Sequence, residues 1–433
     1  MDAAAAAIEA AFPDPWLRAC SLKANDLPAL VARLTARGFG ANIVSRGEWA
    51  LATRAGVPNA AITLEGVGKT DADLRAAARA AAAGVPLRWV ALESPGEAAA
   101  LARAVAAAGR GRPPGDPLRL DVLLRLNPSV EPETQAGLAT GSAGSKFGMT
   151  ADELTGAVAA GGGPGGPLRW RGIHLHVGSQ LGAVDAWRDA VRRALALLAL
   201  LRGGLPDFDT LDVGGGFPVA PFGTPAPQPA RFARELPALL EAIPADRRPT
   251  RLAVEPGRFL VARAGWLVAR VLHVRERLGP PSEPLPGRRP GARGLAVVPP
   301  GALARDRVER SVVIDAGMTE LIRPALYGAE HAIVALTSLG RPVDPSAPRT
   351  RRRPAPLPRV RVDGPICEST DALGEHPLPP LRRGDLVAIR DSGAYAASMS
   401  SRYNGRPRPA EVFVEPDGRL VLARRRGTPG SLG

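Results

Sequence analysis

Apolar runs of strand length recur through the first 255 residues, and most of them precede an alanine- and leucine-rich stretch with helical spacing. The strands are predicted near 18-22, 40-44, 60-64, 87-92, 120-126, 169-177, 208-213 and 250-255. The helices are predicted near 26-37, 47-55, 70-82, 95-108, 151-160, 185-202 and 230-242. Repeated strand–helix units of this length predict a closed parallel (β/α)₈ barrel.

The pattern changes after residue 255, where strand-like runs follow one another with little helix between them. They lie near 267-275, 311-315, 331-336, 359-363, 385-390, 411-415 and 419-423. This pattern predicts a mostly antiparallel β-barrel or β-sandwich domain. The fold class is therefore α/β plus all-β, with a barrel domain at 1-258, a β domain at 259-426 and a flexible tail at 427-433. Proline, glycine and arginine dominate two stretches near 279-308 and 341-358, which we interpret as insertions.

Composition excludes several classes of function. The net charge of +14 suggests nucleic-acid binding, but the arginine clusters at 351-353 and 424-426 lie in predicted loop or tail and aromatic residues are scarce. No apolar run approaches the roughly 20 residues of a membrane span, and the N-terminus lacks the pattern of a secretory signal. Cys20 and Cys367 are too few for a disulfide framework. We therefore expect a cytoplasmic protein that binds neither nucleic acid nor membrane.

Lysine is rare in this chain, with three residues against 53 arginines. One of them, Lys23, follows the first predicted strand. A guanidinium is not deprotonated in proteins, so only lysine can act as an amine nucleophile and form a Schiff base. A single lysine near a helix start is more often a solvated charge, so only its surroundings support a catalytic role for Lys23.

Polar residues collect at the predicted strand ends, where (β/α)₈ barrels carry their active sites. His174 and His176 share a face of the sixth strand, glycines 214-216 follow the seventh, and Glu255 and Arg258 follow the eighth. Three glycines after a strand either form a structural turn or cradle a phosphate. An amine, a phosphate loop, a histidine and a carboxylate together favour pyridoxal phosphate. Metal ligation by the two histidines is the alternative, although no acidic residue completes a set at suitable spacing.

Several motifs resemble those of the fold-type III pyridoxal-phosphate decarboxylases, which have an alanine racemase-like fold. They are Leu22-Lys23-Ala24-Asn25, His174-Leu175-His176-Val177-Gly178-Ser179-Gln180, Val213-Gly214-Gly215-Gly216-Phe217 and Glu255-Pro256-Gly257-Arg258. Later motifs resemble the diaminopimelate decarboxylase family in particular. They are Asp315-Ala316-Gly317-Met318, Arg323-Pro324-Ala325-Leu326-Tyr327, Gly364-Pro365-Ile366-Cys367-Glu368-Ser369, Gly393-Ala394-Tyr395 and Tyr403-Asn404.

This resemblance implies a role for each matched residue. Lys23 would bind pyridoxal 5'-phosphate covalently, His176 would stack on its ring, and Glu255 would face the pyridine nitrogen. The residues implied around the phosphate are Ser179, Gly215, Gly216, Gly257, Arg258 and Tyr395. Those implied for substrate binding are Arg258, Arg323, Tyr327, Glu368 and Tyr395. Cys367 would donate a proton from the partner subunit of a homodimer.

The reaction implied is decarboxylation of meso-2,6-diaminopimelate at its D-centre to L-lysine, the last step of lysine biosynthesis. Two positions depart from the family pattern, since Asn42 stands where aspartate is common and Gln135 where histidine is common. The alternatives are a related decarboxylase for ornithine, arginine, carboxynorspermidine or another substrate, a racemase, and a regulatory homologue without catalysis. Arg323 and Tyr327 favour a substrate with a second carboxylate, and the presence of Lys23 and Cys367 argues against loss of catalysis.

Overall fold

Eight parallel strands form a closed barrel in the N-terminal part of the chain, in sequence order around the barrel. The computed structural model describes residues 1–113, 115–220, 225–278, 308–336 and 357–429. The barrel strands are β1 Leu17–Ser21, β2 Gly40–Ile43, β3 Ile62–Leu64, β4 Trp89–Leu92, β5 Leu120–Leu126, β6 Leu168–Leu175, β7 Thr210–Asp212 and β8 Arg251–Val254. All eight predicted strands are confirmed, and β8 closes the barrel by pairing with β1.

Helices cover the outside of the barrel and begin at residues that the sequence marks clearly. Thr70 and Thr150 each form a capping box with the acidic residue three positions later. The helices of this part are α1 Asp2–Ala11, α2 Pro28–Thr35, α3 Arg46–Arg54, α4 Asp71–Ala82, α5 Pro95–Ala108, α6 Ala151–Ala160, α7 Asp185–Leu201, α8 Pro229–Ala233, α9 Leu236–Glu241 and α10 Arg258–Val261. The prediction missed α1 and α10, and the single helix predicted at 230-242 is divided into α8 and α9.

The missed helix α1 is part of the barrel core. Its Ile8 is fully buried, and Phe12 directly after it packs against Phe217 with ring centroids 5.6 Å apart. Phe217 contacts Phe232, which in turn packs edge-on against Trp187 of α7. This row of buried aromatic rings anchors the segment that follows β7, and large buried rings contribute strongly to core stability.

The β domain contains a six-stranded sheet. Its strands are β9 Leu267–Leu278, β10 Val308–Ile314, β11 Ile333–Leu336, β12 Arg359–Asp363, β13 Ala372–Pro377 and β14 Leu386–Ile389, in the spatial order β11-β14-β9-β10-β12-β13. A short helix, α11 Arg323–Tyr327, interrupts them. Strand β13 was not predicted, and the β10–β12 pair is parallel, so the sheet is mixed and not fully antiparallel.

The chain divides into two compact units. The barrel unit comprises Met1–Gly265, Asp391–Met399 and Pro407–Gly433, and the sheet unit comprises Trp266–Arg390 and Ser400–Arg406. The prediction placed both C-terminal segments in the β domain. The last two strands, β15 Glu411–Val414 and β16 Leu420–Arg424, form a hairpin in the barrel unit, where Glu415 pairs with Arg33 of α2.

Most of the two predicted insertions, near 279-308 and 341-358, and residues 430-433 of the predicted tail lie outside the described residues. Within the ranges that the structure describes, no helix combines the length and the apolar character that crossing a membrane requires.

Candidate active site

Lys23 lies on a single helical turn, Leu22–Ala24, immediately after β1. Leu22 and Ala24 are buried, so the turn is fixed in the core while Lys23 between them is partly exposed. The segment at 391-399 holds the same turn through three hydrogen bonds. The Tyr395 amide donates to the Ala24 carbonyl at 2.7 Å, the Ser398 hydroxyl to the Lys23 carbonyl at 3.0 Å, and the Asn25 amide group to the Gly393 carbonyl at 3.0 Å.

Arg258 is the buried cation of the site and begins α10 directly after β8. Its Nε and Nη2 atoms donate to the Ser179 hydroxyl at 3.1 and 3.0 Å. Its guanidinium lies 4.5 Å from the centroid of the Tyr395 ring. A guanidinium oriented by a hydroxyl and an aromatic face is well suited to bind an anion such as a phosphate.

The glycine segment after β7 approaches neighbouring backbone too closely for any side chain. A Cβ atom on Gly215 would lie 2.2 Å from the Glu255 carbonyl oxygen. Gly216 has φ of +99°, and a Cβ atom there would lie 2.6 Å from the Gly178 carbonyl oxygen. Both positions therefore require glycine, because of backbone contact at Gly215 and also because of backbone conformation at Gly216.

His176 follows β6 and accepts a hydrogen bond at Nδ1 from the Gly215 amide, at 3.3 Å. Burial holds the pKa of this imidazole well below its usual value, and the positive charge of Lys23 lowers it further. The ring is therefore neutral at pH 7, and because Nδ1 accepts, its proton is on Nε2.

These residues line one pocket in the barrel unit. The lining comprises Ser21, Lys23, His176, Ser179, Gly216, Phe217, Glu255, Gly257, Arg258 and Tyr395. The structure thus brings together the residues predicted for the cofactor, with Gly215 beside them through its bond to His176. A buried arginine for a phosphate, a lysine amine and a buried carboxylate fit pyridoxal phosphate. Ser21 and Phe217 were not predicted.

Four titratable side chains adjoin this pocket inside the barrel, and we call them the buried acid cluster. They are Glu65, His174, Asp212 and Glu255, none more than 4% exposed. His174 Nε2 lies 3.2 Å from Glu65 Oε2 and 3.4 Å from Glu255 Oε2. Asn42 donates to Glu255 Oε1 at 2.7 Å.

Burial and neighbouring charge change the protonation of this cluster. Burial, and then the negative charge of Glu255, raise the pKa of Glu65 to about 8. The same two causes raise the pKa of Asp212 well above its usual value. Burial lowers the pKa of His174 to about 4. At neutral pH Glu65 and Asp212 are therefore protonated and His174 is neutral.

Sequence reasoning missed Glu65, gave no role to Asp212 and considered His174 only in the alternative of metal ligation. One ligand atom each from Glu65, His174 and Glu255 lie within 4.8 Å of one another, so acidic residues do accompany this histidine. Spacing along one strand could not reveal this set, because its members follow three different strands. The available signal was position, since Glu65 directly follows β3 just as Glu255 follows β8.

The remaining predicted residues belong to the sheet unit. Arg323 is buried at the start of α11 and contacts His331 Nε2 at 3.0 Å. His331 Nδ1 lies 2.8 Å from the Arg390 carbonyl, which fixes the imidazole proton on Nδ1 and leaves Nε2 to accept from Arg323. Tyr327, the last residue of α11, is partly exposed.

Cys367 and Glu368 are exposed on a turn that a buried aspartate holds in place. Asp371 is 4% exposed, and its carboxylate accepts from the amides of Ile366 at 2.7 Å and Met318 at 2.6 Å. The Tyr403 hydroxyl donates to Glu368 at 2.7 Å. Two motifs that the sequence singled out, around Met318 and around Cys367, are therefore joined through one carboxylate.

Comparison with known proteins places the chain in a family. Residues 2–262 match the model of the pyridoxal-dependent decarboxylase, pyridoxal binding domain. The diaminopimelate decarboxylase of Deinococcus radiodurans is 34% identical over 99% of this chain and 91% of its own length, and that of Zymomonas mobilis is 31% identical over 97% and 85%. The crystal structure of the Helicobacter pylori enzyme complexed with L-lysine is 26% identical, with a TM-score of 0.80 over 99% of this chain and 92% of that one. The chain therefore belongs to the diaminopimelate decarboxylase family of pyridoxal-dependent decarboxylases.

Proposed function

We propose that this protein decarboxylates meso-2,6-diaminopimelate at its D-centre to L-lysine and CO₂, as the last step of lysine biosynthesis. The observation that carries the proposal is the pocket around Lys23, in a chain that matches diaminopimelate decarboxylases along nearly its whole length. Pyridoxal phosphate, when bound, supplies the electron sink that accepts the electrons left behind by CO₂. The side chains of this chain bind and orient the reactants and move protons.

At the cofactor, three side chains have separate tasks. The Lys23 amine would bind the cofactor covalently as a Schiff base and give way to the substrate's α-amine. Arg258, oriented by Ser179 and Tyr395, binds the phosphate. Glu255, with Asn42 donating to one oxygen, offers its carboxylate to the pyridine nitrogen and favours the protonated form of that nitrogen.

His176 provides a ring face without a charge. Its pKa is held well below the usual value and its Nδ1 accepts from Gly215, so the imidazole stays neutral and oriented. A neutral ring can stack on a cationic pyridinium without repelling it, whereas an imidazolium would oppose the charge that Glu255 stabilises.

For the substrate's distal end, we propose Arg258, Arg323 and Tyr327 as partners of the carboxylate and Glu368 as partner of the ammonium group. Arg323 is buried and oriented by His331, which pre-arranges its guanidinium for bidentate contact with a carboxylate. Glu368 is oriented by Tyr403. A carboxylate partner at this end favours diaminopimelate over ornithine, which has no second carboxylate.

We further propose that the protein is a homodimer with shared active sites, in which Cys367 of one protomer donates a proton to the product in the other. The exposed Cys367 and Glu368, on a turn fixed by Asp371, are suited to enter a partner's site. A cytoplasmic location is also proposed, because Cys20 and Cys367 are both free thiols.

The reaction is tested by adding meso-diaminopimelate to the cofactor-loaded protein and quantifying CO₂ and L-lysine. Lys23→Ala should abolish production. Lys23→Arg is the matched control, because it keeps the positive charge but cannot form the Schiff base. If L-ornithine were turned over and diaminopimelate were not, the substrate assignment would be wrong. If Lys23→Arg retained wild-type turnover, the role of Lys23 would be wrong.

The shared site is tested by mixing two inactive variants, Lys23→Ala and Cys367→Ala. After subunits exchange at random, half of the dimers contain one protomer of each kind, and each of these has one intact site. Activity should then recover to about a quarter of wild type. An absence of recovery, with exchange verified by differently tagged protomers, would show that each protomer supplies its own Cys367.

A further inference from the structure

The buried acid cluster has more acidic groups than its surroundings can keep ionised. Glu65, His174, Asp212 and Glu255 are at most 4% exposed, so water cannot solvate their charges. Three carboxylates in such a site repel one another when ionised. The protein must therefore retain protons here, and the hydrogen-bond donors determine which carboxylate keeps its charge.

The donors favour a charge on Glu255. Its Oε1 accepts from Asn42 at 2.7 Å, and its Oε2 lies 3.4 Å from His174 Nε2. His174 Nε2 lies 3.2 Å from Glu65 Oε2, but among the described residues neither this nitrogen nor the buried Glu65 Oε1 has a hydrogen-bond partner. The Asp212 carboxylate accepts from the Gly214 amide. Glu255 is thus better supplied with donors than Glu65, which makes Glu65 the carboxyl that keeps its proton.

The other charges that act on the cluster do not change which carboxyl keeps its proton. Arg125 is the cation that acts on Glu65, and it is paired with Glu93 at short range. Lys23 and Arg125 both disfavour a positive charge on His174. The raised pKa of Glu65 and the lowered pKa of His174 agree with a protonated acid beside a neutral imidazole.

We propose that Glu65 is a positioning residue that holds a proton at neutral pH and thereby leaves Glu255 as the ionised carboxylate facing the cofactor's pyridine nitrogen. The protonated Glu65 carboxyl lies beside the neutral His174 imidazole, with Oε2 3.2 Å from Nε2, and adds no second negative charge to the cluster. The role of Glu255 rests on the proposed function. The proton on Glu65 is a property of the protein alone.

The proton is tested by infrared spectroscopy of the full-length, cofactor-loaded protein, where the C=O stretch of a buried carboxylic acid is separate from carboxylate bands. The difference between wild type and Glu65→Gln at pH 7 should contain one carboxylic-acid band. The exposed Glu241→Gln is the matched control and should give none. In wild type alone the band should disappear as pH rises through about 8. Absence of the band would overturn the proposal, because Glu65 would then be ionised.

The positioning role is tested by cofactor affinity, measured by titrating the protein with pyridoxal phosphate. Glu65→Gln keeps a neutral polar group beside His174 and should bind within about threefold of wild type, whereas Glu65→Leu should bind about tenfold more weakly. Equal losses in both variants would overturn the role. The role would also be overturned if purified wild type contained a stoichiometric metal ion that Glu65→Gln lacks, because Glu65, His174 and Glu255 would then be metal ligands. If the infrared band is found and lysine production is not, only the proposed function fails.

Discussion

Replacing Glu65 with glutamine should change how the stability of the protein depends on pH. The pKa of Glu65 is about 8 in the folded protein and 4.5 for an ordinary glutamate. A carboxyl whose pKa is raised on folding contributes stability that is complete below the unfolded pKa and is lost as pH rises through the folded pKa. Glutamine does not titrate, so Glu65→Gln lacks this loss.

The size of the effect follows from these two pKa values. In the unfolded state Glu65 has already lost its proton at pH 6.5, whereas in the folded state it begins to lose it as pH rises to 8. This difference lowers the unfolding free energy by about 1.6 kcal/mol between about pH 6.5 and pH 8. His174, whose pKa is lowered to about 4, lowers stability only as pH falls below its ordinary value of 6.5, outside this window.

The assay is urea unfolding followed by tryptophan fluorescence, at both pH values, for wild type and Glu65→Gln with equal cofactor. Wild type should lose about 1.6 kcal/mol more than the variant between the two pH values. The Glu241→Gln control should behave as wild type. Parallel pH dependences in wild type and Glu65→Gln, within about 0.3 kcal/mol, would refute a protonated Glu65 in the folded protein.

Two further substitutions test the geometry of each unit. Ser179→Ala removes the hydroxyl that accepts from both Nε and Nη2 of Arg258, and should weaken cofactor binding about tenfold in a fluorescence titration; unchanged affinity would mean that Arg258 is oriented without it. Asp371→Ala leaves the amides of Ile366 and Met318 without their acceptor. Urea unfolding should show that the unfolding free energy of the sheet unit is lower by roughly 2 to 5 kcal/mol. A loss below about 1 kcal/mol would show that other groups hold this turn.

The barrel could be predicted because its signals are local. Each strand is a short apolar run, and helices such as α4 and α6 begin at a threonine followed by an acidic residue three positions later. Strand β13 was missed because Leu373 is the one buried residue of Ala372–Pro377, so the segment shows no alternation of apolar and polar positions. Helix α1 was missed because its alanine-rich sequence buries only Ala5 and Ile8 and so lacks a face of large apolar residues.

The site residues that lie in recognisable sequence motifs could be predicted. Those that only the folded chain brings together could not. Lys23, Glu255 and Arg258 lie at strand ends, and barrel geometry brings strand ends together. Glu65 lies outside these motifs, and its place in the site comes from burial beside His174 and Glu255. The role of Asp371 is similarly invisible in the sequence, because hydrogen bonds to backbone amides carry no pattern of side chains.

The hydrogen bonds around Lys23 also bear on when the protein can acquire its cofactor. Lys23 is made early in synthesis, yet its carbonyl and that of Ala24 accept hydrogen bonds from Ser398 and Tyr395, about 370 positions later. A nascent chain of barrel length has the lysine, the glycines and Arg258, but it lacks Tyr395 and the bonds that fix the lysine turn. Contacts so distant in sequence form late. The hydrogen bonds that fix the lysine turn are therefore complete only after almost the whole chain has been synthesised.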